Sequence, residues 1–258
     1  MARARRARLV AAGGMLAAGL LAAGMLAAGM RSAAAGARAP GTGGSARTVD
    51  RRDLCVSAGE IEQLAGHRLG IEEPGVRAVV LADTPQAAEI RFTYRGPSTG
   101  TKPLASGEVR RQIGLKLRAQ DSCNLLYVMW WIEPRNAIAV SIKRNPGQRT
   151  HEDCGARGYV NMKARRRSPA PRIERDSTHT LRAELLGREL RVWSDGAPVW
   201  EGALPAEVED FDGPVGLRSD NVRMELAYSV GGGPPAPLSK VPAWLRQRCK
   251  SKGREAAD

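Results

Sequence analysis

The chain has 258 residues and a formal net charge of +13, from 40 Lys and Arg against 27 Asp and Glu. Its four cysteines have no CxxC or Cys/His spacing, which argues against a zinc site. No nucleic-acid-binding motif accompanies the charge, so nucleic acid is set aside as a partner. The surplus suits acidic surfaces such as polyanionic polysaccharide or envelope phosphate, with simple solubility as the alternative.

Residues 1–35 read as a signal peptide. MARARRAR is a basic start, an apolar run without charge follows, and Ala33-Ala34-Ala35 offers small residues for cleavage. The run is also just long enough to span a bilayer, so a retained N-terminal anchor is the alternative, and only then does a membrane become a partner. Export follows either way, to the periplasm, envelope or extracellular space. The excess of Arg over Lys, with abundant Ala and Gly, suggests a GC-rich bacterial source. Without the five arginines of this segment the formal charge is +8.

Residues 36–50 form a glycine-rich flexible linker. Residues 51–230 then make one domain, and 231–258 a Gly/Pro hinge with a basic tail. Alternating runs predict strands over 76–82, 89–94, 179–187, 188–195, 197–202, 213–220 and 222–229. Asp195-Gly196 between two of them is a hairpin signal. Helical turns are expected only near 59–66 and 241–250. The fold class is all-β, an antiparallel two-sheet sandwich with little helix.

Four central strands carry the functional signal. In RRQIGLKLRA, Ile113, Leu115 and Leu117 oppose Gln112, Lys116 and Arg118. In NLLYVMWWIE, Leu126, Val128, Trp130 and Ile132 oppose Tyr127, Met129, Trp131 and Glu133. In AIAVSIKR, Ile138, Val140 and Ile142 oppose Ser141 and Lys143, and in RGYVNMKA, Val160 and Met162 oppose Tyr159, Asn161 and Lys163. Side chains alternate along a strand, so one face packs and the other is displayed. The displayed set is aromatic, basic and almost free of carboxylates, which suits holding a polar or anionic ligand. Tyr127 and Trp131 are the candidate stacking platforms, with packing under a covering loop or tail as the alternative. Gln112, Lys116, Glu133, Ser141, Lys143, Tyr159 and Asn161 supply hydrogen bonds, and Arg144 adds a fork for a carboxylate or sulfate. Trp130, Trp193 and Trp200 read as core.

An even cysteine count in an exported chain reads as disulfides. Three pairings are possible. Cys55–Cys249 with Cys123–Cys154 is preferred, because two-sheet sandwiches often bring the chain ends together. The shorter loop would contribute about 3–4 kcal/mol and the longer about 5 kcal/mol on a chain-entropy model.

The stretch 179–230 resembles the C-terminal half of a concanavalin A-like lectin/glucanase domain. The likeness rests on Gly187, Asp195-Gly196, Gly213 to Arg218 and the final alternating strand, and extends over roughly residues 76–230. Laminin G-like domains and 3-keto-disaccharide hydrolases belong to that superfamily. The resemblance implies a jelly roll of two curved sheets whose concave face binds sugars. It alone admits calcium; no cofactor or metal site is expected from the residues themselves.

Catalytic motifs are poorly supported. Glycoside hydrolysis needs two placed carboxylates. Glu207, Glu209, Asp210 and Asp212 fall in a connecting loop, and Glu133 alone cannot serve both roles. Gly96-Pro97-Ser98-Thr99-Gly100 matches G-x-S-x-G but is followed by no helix. Of His67, His151 and His179, only His151, beside Glu152 and Asp153, invites an acid/base or metal role. The expectation is a non-catalytic, monomeric domain binding carbohydrate or an acidic envelope polymer. A glycoside-acting enzyme and a purely structural envelope protein are the alternatives.

Overall fold

A computed structural model describes residues 46–231 and Cys249. Among the described residues sixteen strands run in chain order: β1 Arg47–Val49, β2 Leu54–Ala58, β3 Glu62–Leu64, β4 Arg68–Ile71, β5 Gly75–Val80, β6 Ala87–Pro97, β7 Arg111–Leu117 and β8 Leu125–Glu133. There follow β9 Ala137–Lys143, β10 Tyr159–Asn161, β11 Arg166–Arg167, β12 Thr178–Leu186, β13 Glu189–Ser194, β14 Ala197–Ala203, β15 Gly216–Asp220 and β16 Val222–Val230. All pairings are antiparallel. One sheet has the order β11-β14-β13-β12-β6-β16-β4-β3, with β1 also on β16. The other has the order β10-β9-β8-β7-β15-β5-β2. The fold is the expected all-β two-sheet sandwich.

The inward alternation holds across both sheets. Ile113, Leu115, Leu117, Leu126, Val128 and Trp130 have no exposed surface and pack in one core with Ile90, Phe92, Leu226 and Tyr228 from the opposite sheet. Phe92 meets Trp130 edge-on, with ring centroids 5.8 Å apart. Trp200 is also core, but Trp193 is half-buried on the other side of β13 with the Arg182 guanidinium 5.3 Å from its ring. Val160, expected inside, is 57% exposed because β10 is an edge strand of three residues.

Two local expectations change. Residues 59–66 form no helical turn: Glu62–Leu64 is strand β3, closed onto β4 by a turn that holds Gly66 and His67 at positive φ. Residues 151–154, read as loop, make one helical turn capped by Thr150, whose hydroxyl accepts from the Asp153 N–H. The helical turn expected near 241–250 lies outside the described residues except for Cys249, which is helical. Cys55 is bonded to Cys249, and Cys123 to Cys154. No helix among the described residues is long and apolar enough to cross a membrane.

At the middle of the seven-stranded sheet, β7 and β15 carry glycines on the face away from the core. A Cβ on Gly114 would stand 2.3 Å from the Val128 carbonyl oxygen and 2.6 Å from the Met129 sulfur. Gly114→Ala is therefore expected to lower stability by about 1–3 kcal/mol. Denaturant midpoints would reveal this, and an unchanged midpoint would mean the close approach is not there.

Candidate functional site

The outer face of the seven-stranded sheet is a lattice fixed by register. Arg77 on β5 lies opposite Arg218 on β15, which lies opposite Gly114 on β7. Asp220 lies opposite Gln112, which lies opposite Trp131 on β8. Lys116 faces both Gly216 and Tyr127, and Tyr127 faces Ser141. Lys143 lies opposite Tyr159, and Ser141 opposite Asn161.

Two guanidiniums facing each other across a ladder repel. Asp220 offsets this: its carboxylate accepts from Arg77 Nη2 at 2.5 Å, from Arg218 Nε at 2.8 Å and from Gln112 Nε2 at 2.6 Å. Its side chain is only 3% exposed. Burial disfavours its charge, but Arg218 and Arg77 outweigh burial and hold the carboxyl below the usual aspartate range. Arg77 also donates to the backbone carbonyls of Val76 and Ser219. Burial lowers the Arg77 pKa and the Arg218 charge adds to it. For Arg218, burial acts the same way, yet Asp220 prevails and its pKa is raised. The cluster remains one positive charge in excess.

Arg218 also meets the aromatics of this face. Its guanidinium carbon sits 5.0 Å from the Tyr127 ring, and Nη1 donates to the Tyr159 hydroxyl at 3.3 Å. Tyr127 and Tyr159 stack with centroids 5.9 Å apart. Lys143 Nζ lies 5.2 Å from the Tyr159 ring and donates to the carbonyls of Gly155 and Ser122. Burial lowers the Lys143 pKa.

The residues expected on this face fall into two groups. Gln112, Lys116, Tyr127 and Lys143 are buried, so Tyr127 is not an open stacking platform; burial also raises its pKa. Trp131 and Ser141 are half-buried, and Trp131 carries the Arg110 guanidinium at 3.8 Å and that of Arg135 at 4.9 Å. Glu133, Arg144, Tyr159 and Asn161 are exposed. Glu133 pairs with Arg111, and Arg144 lies 3.6 Å from Asp210. Tyr159, at 41% exposure, is the accessible ring. Val79, Leu125, Tyr127 and Met129 form an apolar patch beside the charges, against which Cys249 packs.

Sequence reasoning missed Arg77, Arg218 and Asp220, the centre of the lattice. The signal was present: VRAVVLA and GPVGLRSD were read as strands, and alternation puts Arg77 opposite in sense to Val76 and Ala78. The weight given to four consecutive strands hid the two that the topology inserts beside β7.

Other constellations are spent on structure. Ser177 Oγ lies 2.9 Å from His179 Nε2, and His179 Nδ1 lies 2.8 Å from Asp195 Oδ2, the order of a hydrolytic triad. However, Ser177 Oγ donates to the Glu174 carbonyl at 2.6 Å and accepts from the Glu174 N–H, closing its own turn. Ser98 Oγ likewise donates to the Gly100 carbonyl. Burial raises the Asp121 pKa, yet its oxygens accept from the N–H groups of Cys123 and Asn124 and from the Asn124 amide. Glu207, Glu209, Asp210 and Asp212 are exposed on and beside a short 3-10 turn, and His67 pairs with Asp50. No group of His, Cys, Asp and Glu among the described residues could hold a metal ion.

No family model matches the chain, and no curated protein matches its sequence. Among solved structures it is similar to the carbohydrate-binding module CBM66 from Bacillus subtilis, at 12% identity and a TM-score of 0.47, over 67% of this chain and 91% of that one. It is similar to the metal-free carbohydrate recognition domain of Emp46p at 11% identity and 0.41, over 70% and 89%. The Caenorhabditis elegans galectin LEC-6 aligns at 9% identity and 0.35, over 70% and 98%. At these scores the likeness carries no argument about function, and no residue role is transferred from it.

Breaking the central charge cluster should be costly. Asp220→Asn leaves two guanidiniums without their carboxylate and is expected to cost about 3–5 kcal/mol at neutral pH. A depressed folded-state pKa means this stability is complete above the unfolded aspartate value of about 3.9 and lost as pH falls toward the folded one. The variant should therefore lose that part of the acid limb in denaturation curves recorded against pH. Parallel acid limbs in the two proteins would contradict the assignment.

Proposed function

We propose that this chain is an exported, non-catalytic β-sandwich of the concanavalin A-like type that binds carbohydrate or another polar envelope component. The binding surface is the outer face of the seven-stranded sheet. The observation that carries this reading is the excess of fixed cations there, Arg77 and Arg218 around Asp220 and Lys143 against Tyr159, whose ring is exposed. A sugar ring can lie on the open side of Tyr159 while its hydroxyls and any acidic group meet Arg218. Two disulfides fit an exported protein.

Hydrolysis is the weaker reading. Among the described residues of this face the carboxylates are Asp220 and Glu133, and each is committed to arginine. Asp220 is held ionised, the wrong state for a general acid near neutral pH. The burial of Tyr127 favours a structural or protein-partner role as the second reading.

A binding screen of the oxidised protein against neutral and acidic cell-wall polymers tests the proposal. Binding should weaken about tenfold or more in Tyr159→Ala. No binding to any polymer, or binding indifferent to Tyr159, would move the function to structure or a protein partner.

A further inference from the structure

The cations of the outer face do not end at the Arg77–Arg218 cluster. Gln112 donates to Asp220 and is the cross-strand neighbour of Trp131. Trp131 in turn holds the guanidiniums of Arg110 and Arg135 against its ring. Arg110 has a carboxylate partner in Glu108. Among the described residues no carboxylate forms an ion pair with the exposed Arg135. Cation–π contact fixes a guanidinium over the face of the ring but leaves most of its N–H donors free for an anion.

Strand spacing gives the scale. Trp131 and Arg218 are two strands and one two-residue step apart, roughly 12 Å between backbone positions. One sugar ring does not cover that interval, whereas a chain lying obliquely across β8, β7 and β15 does. The buried amide oxygen of Gln112, on the line between the two groups, has no hydrogen-bond partner in the protein. It can accept from a ligand hydroxyl there.

Resting on the reading above, we propose that the ligand is a linear polysaccharide carrying repeated acidic groups. One acidic group sits in an inner subsite at Arg218 and Tyr159, and another in an outer subsite made by Arg110 and Arg135 on Trp131. Guanidinium recognises a carboxylate or sulfate through two parallel N–H bonds, which is why arginine rather than lysine occupies both subsites. Charge complementarity selects the polyanion, and the Gln112 amide and the Tyr159 ring select sugar over a bare phosphate chain.

Calorimetry on the full oxidised chain with short and long oligogalacturonates, and with a neutral glucan matched in length to the long one, tests this. The long acidic chain should bind about tenfold tighter than the short one, the size of one added charge-assisted contact. Arg110→Ala with Arg135→Ala should bring the long chain down to the affinity of the short one and leave the short one unchanged. Arg135→Glu, at an exposed position, should do the same without disturbing the buried side of Trp131. Equal affinity for short and long chains, or indifference to these substitutions, would overturn the two-subsite inference while leaving acidic-sugar binding intact. Binding of the glucan as well as the acidic chain would overturn the choice of polyanion. Single-stranded DNA displacing the long acidic chain at equal charge would overturn the choice of polysaccharide. Failure of every polymer would sink the underlying reading as well.

Discussion

Everything on the outer face depends on one carboxylate. Asp220 lies between Arg77 and Arg218, which the ladder register sets opposite each other, and without it the two guanidiniums would repel across a strand pair. Their charges cannot be discharged by titration, because arginine stays protonated in proteins. The fold must therefore supply a counter-ion, and it supplies one where two are called for. The remaining charge is preorganised and desolvated, a condition in which an incoming anion gains more than it would at an open surface. Gln112 donates to the same Asp220 oxygen, Oδ2, that Arg218 holds, so the cluster has little freedom to rearrange.

The positions of Gly114 and Gly216 are the second half of this arrangement. A Cβ at Gly114 would collide with the Val128 carbonyl oxygen and the Met129 sulfur, and one at Gly216 with the Ala78 carbonyl oxygen, so β7 and β15 approach their neighbours this closely only without a side chain there. Beside them Tyr127 stacks under Tyr159, and the outer ring of the pair is accessible. On the other flank the face becomes apolar, with Val79, Leu125 and Met129 packed near Cys249. The Cys55–Cys249 bond ties the distal part of the chain to this flank, and the Cys123–Cys154 bond joins the turn before β8 to the helical turn at 151–154. The second crosslink borders Lys143, which donates to the adjacent carbonyls of Ser122 and Gly155, and each crosslink contributes through the unfolded chain it constrains.

Most of the fold was legible because the strands of the second half alternate cleanly and are punctuated by turn residues such as Asp195 and Asn221, both at positive φ. The short strands β1 to β4 were not legible. Runs of three to five residues carry too little alternation, and β1 and β4 pair with β16, which lies far away in sequence. The site was half legible for a related reason. Alternation says which side chains share a face, and it did so for Gln112, Lys116, Tyr127, Lys143 and Tyr159. It does not say which strands are neighbours, so Arg77, Arg218 and Asp220 could not be joined to them until the order β8-β7-β15-β5 was known. Nor does it register neighbours that cover a side chain, which is why Tyr127 looked open and is buried.

The account's central claim is an uncompensated positive field over this face, and His151 feels that field in addition to its own burial. Partial burial lowers the His151 pKa most, Lys143 and Arg77 lower it further, and Arg218 adds less than Glu152 opposes. An NMR titration of its imidazole signals in the free protein and with an acidic oligosaccharide is the decisive measurement. The predicted result is a pKa below the ordinary histidine value of about 6.5 in the free protein, moving upward when the anion binds. A value at or above the ordinary one, unchanged by saturating ligand, would contradict the account.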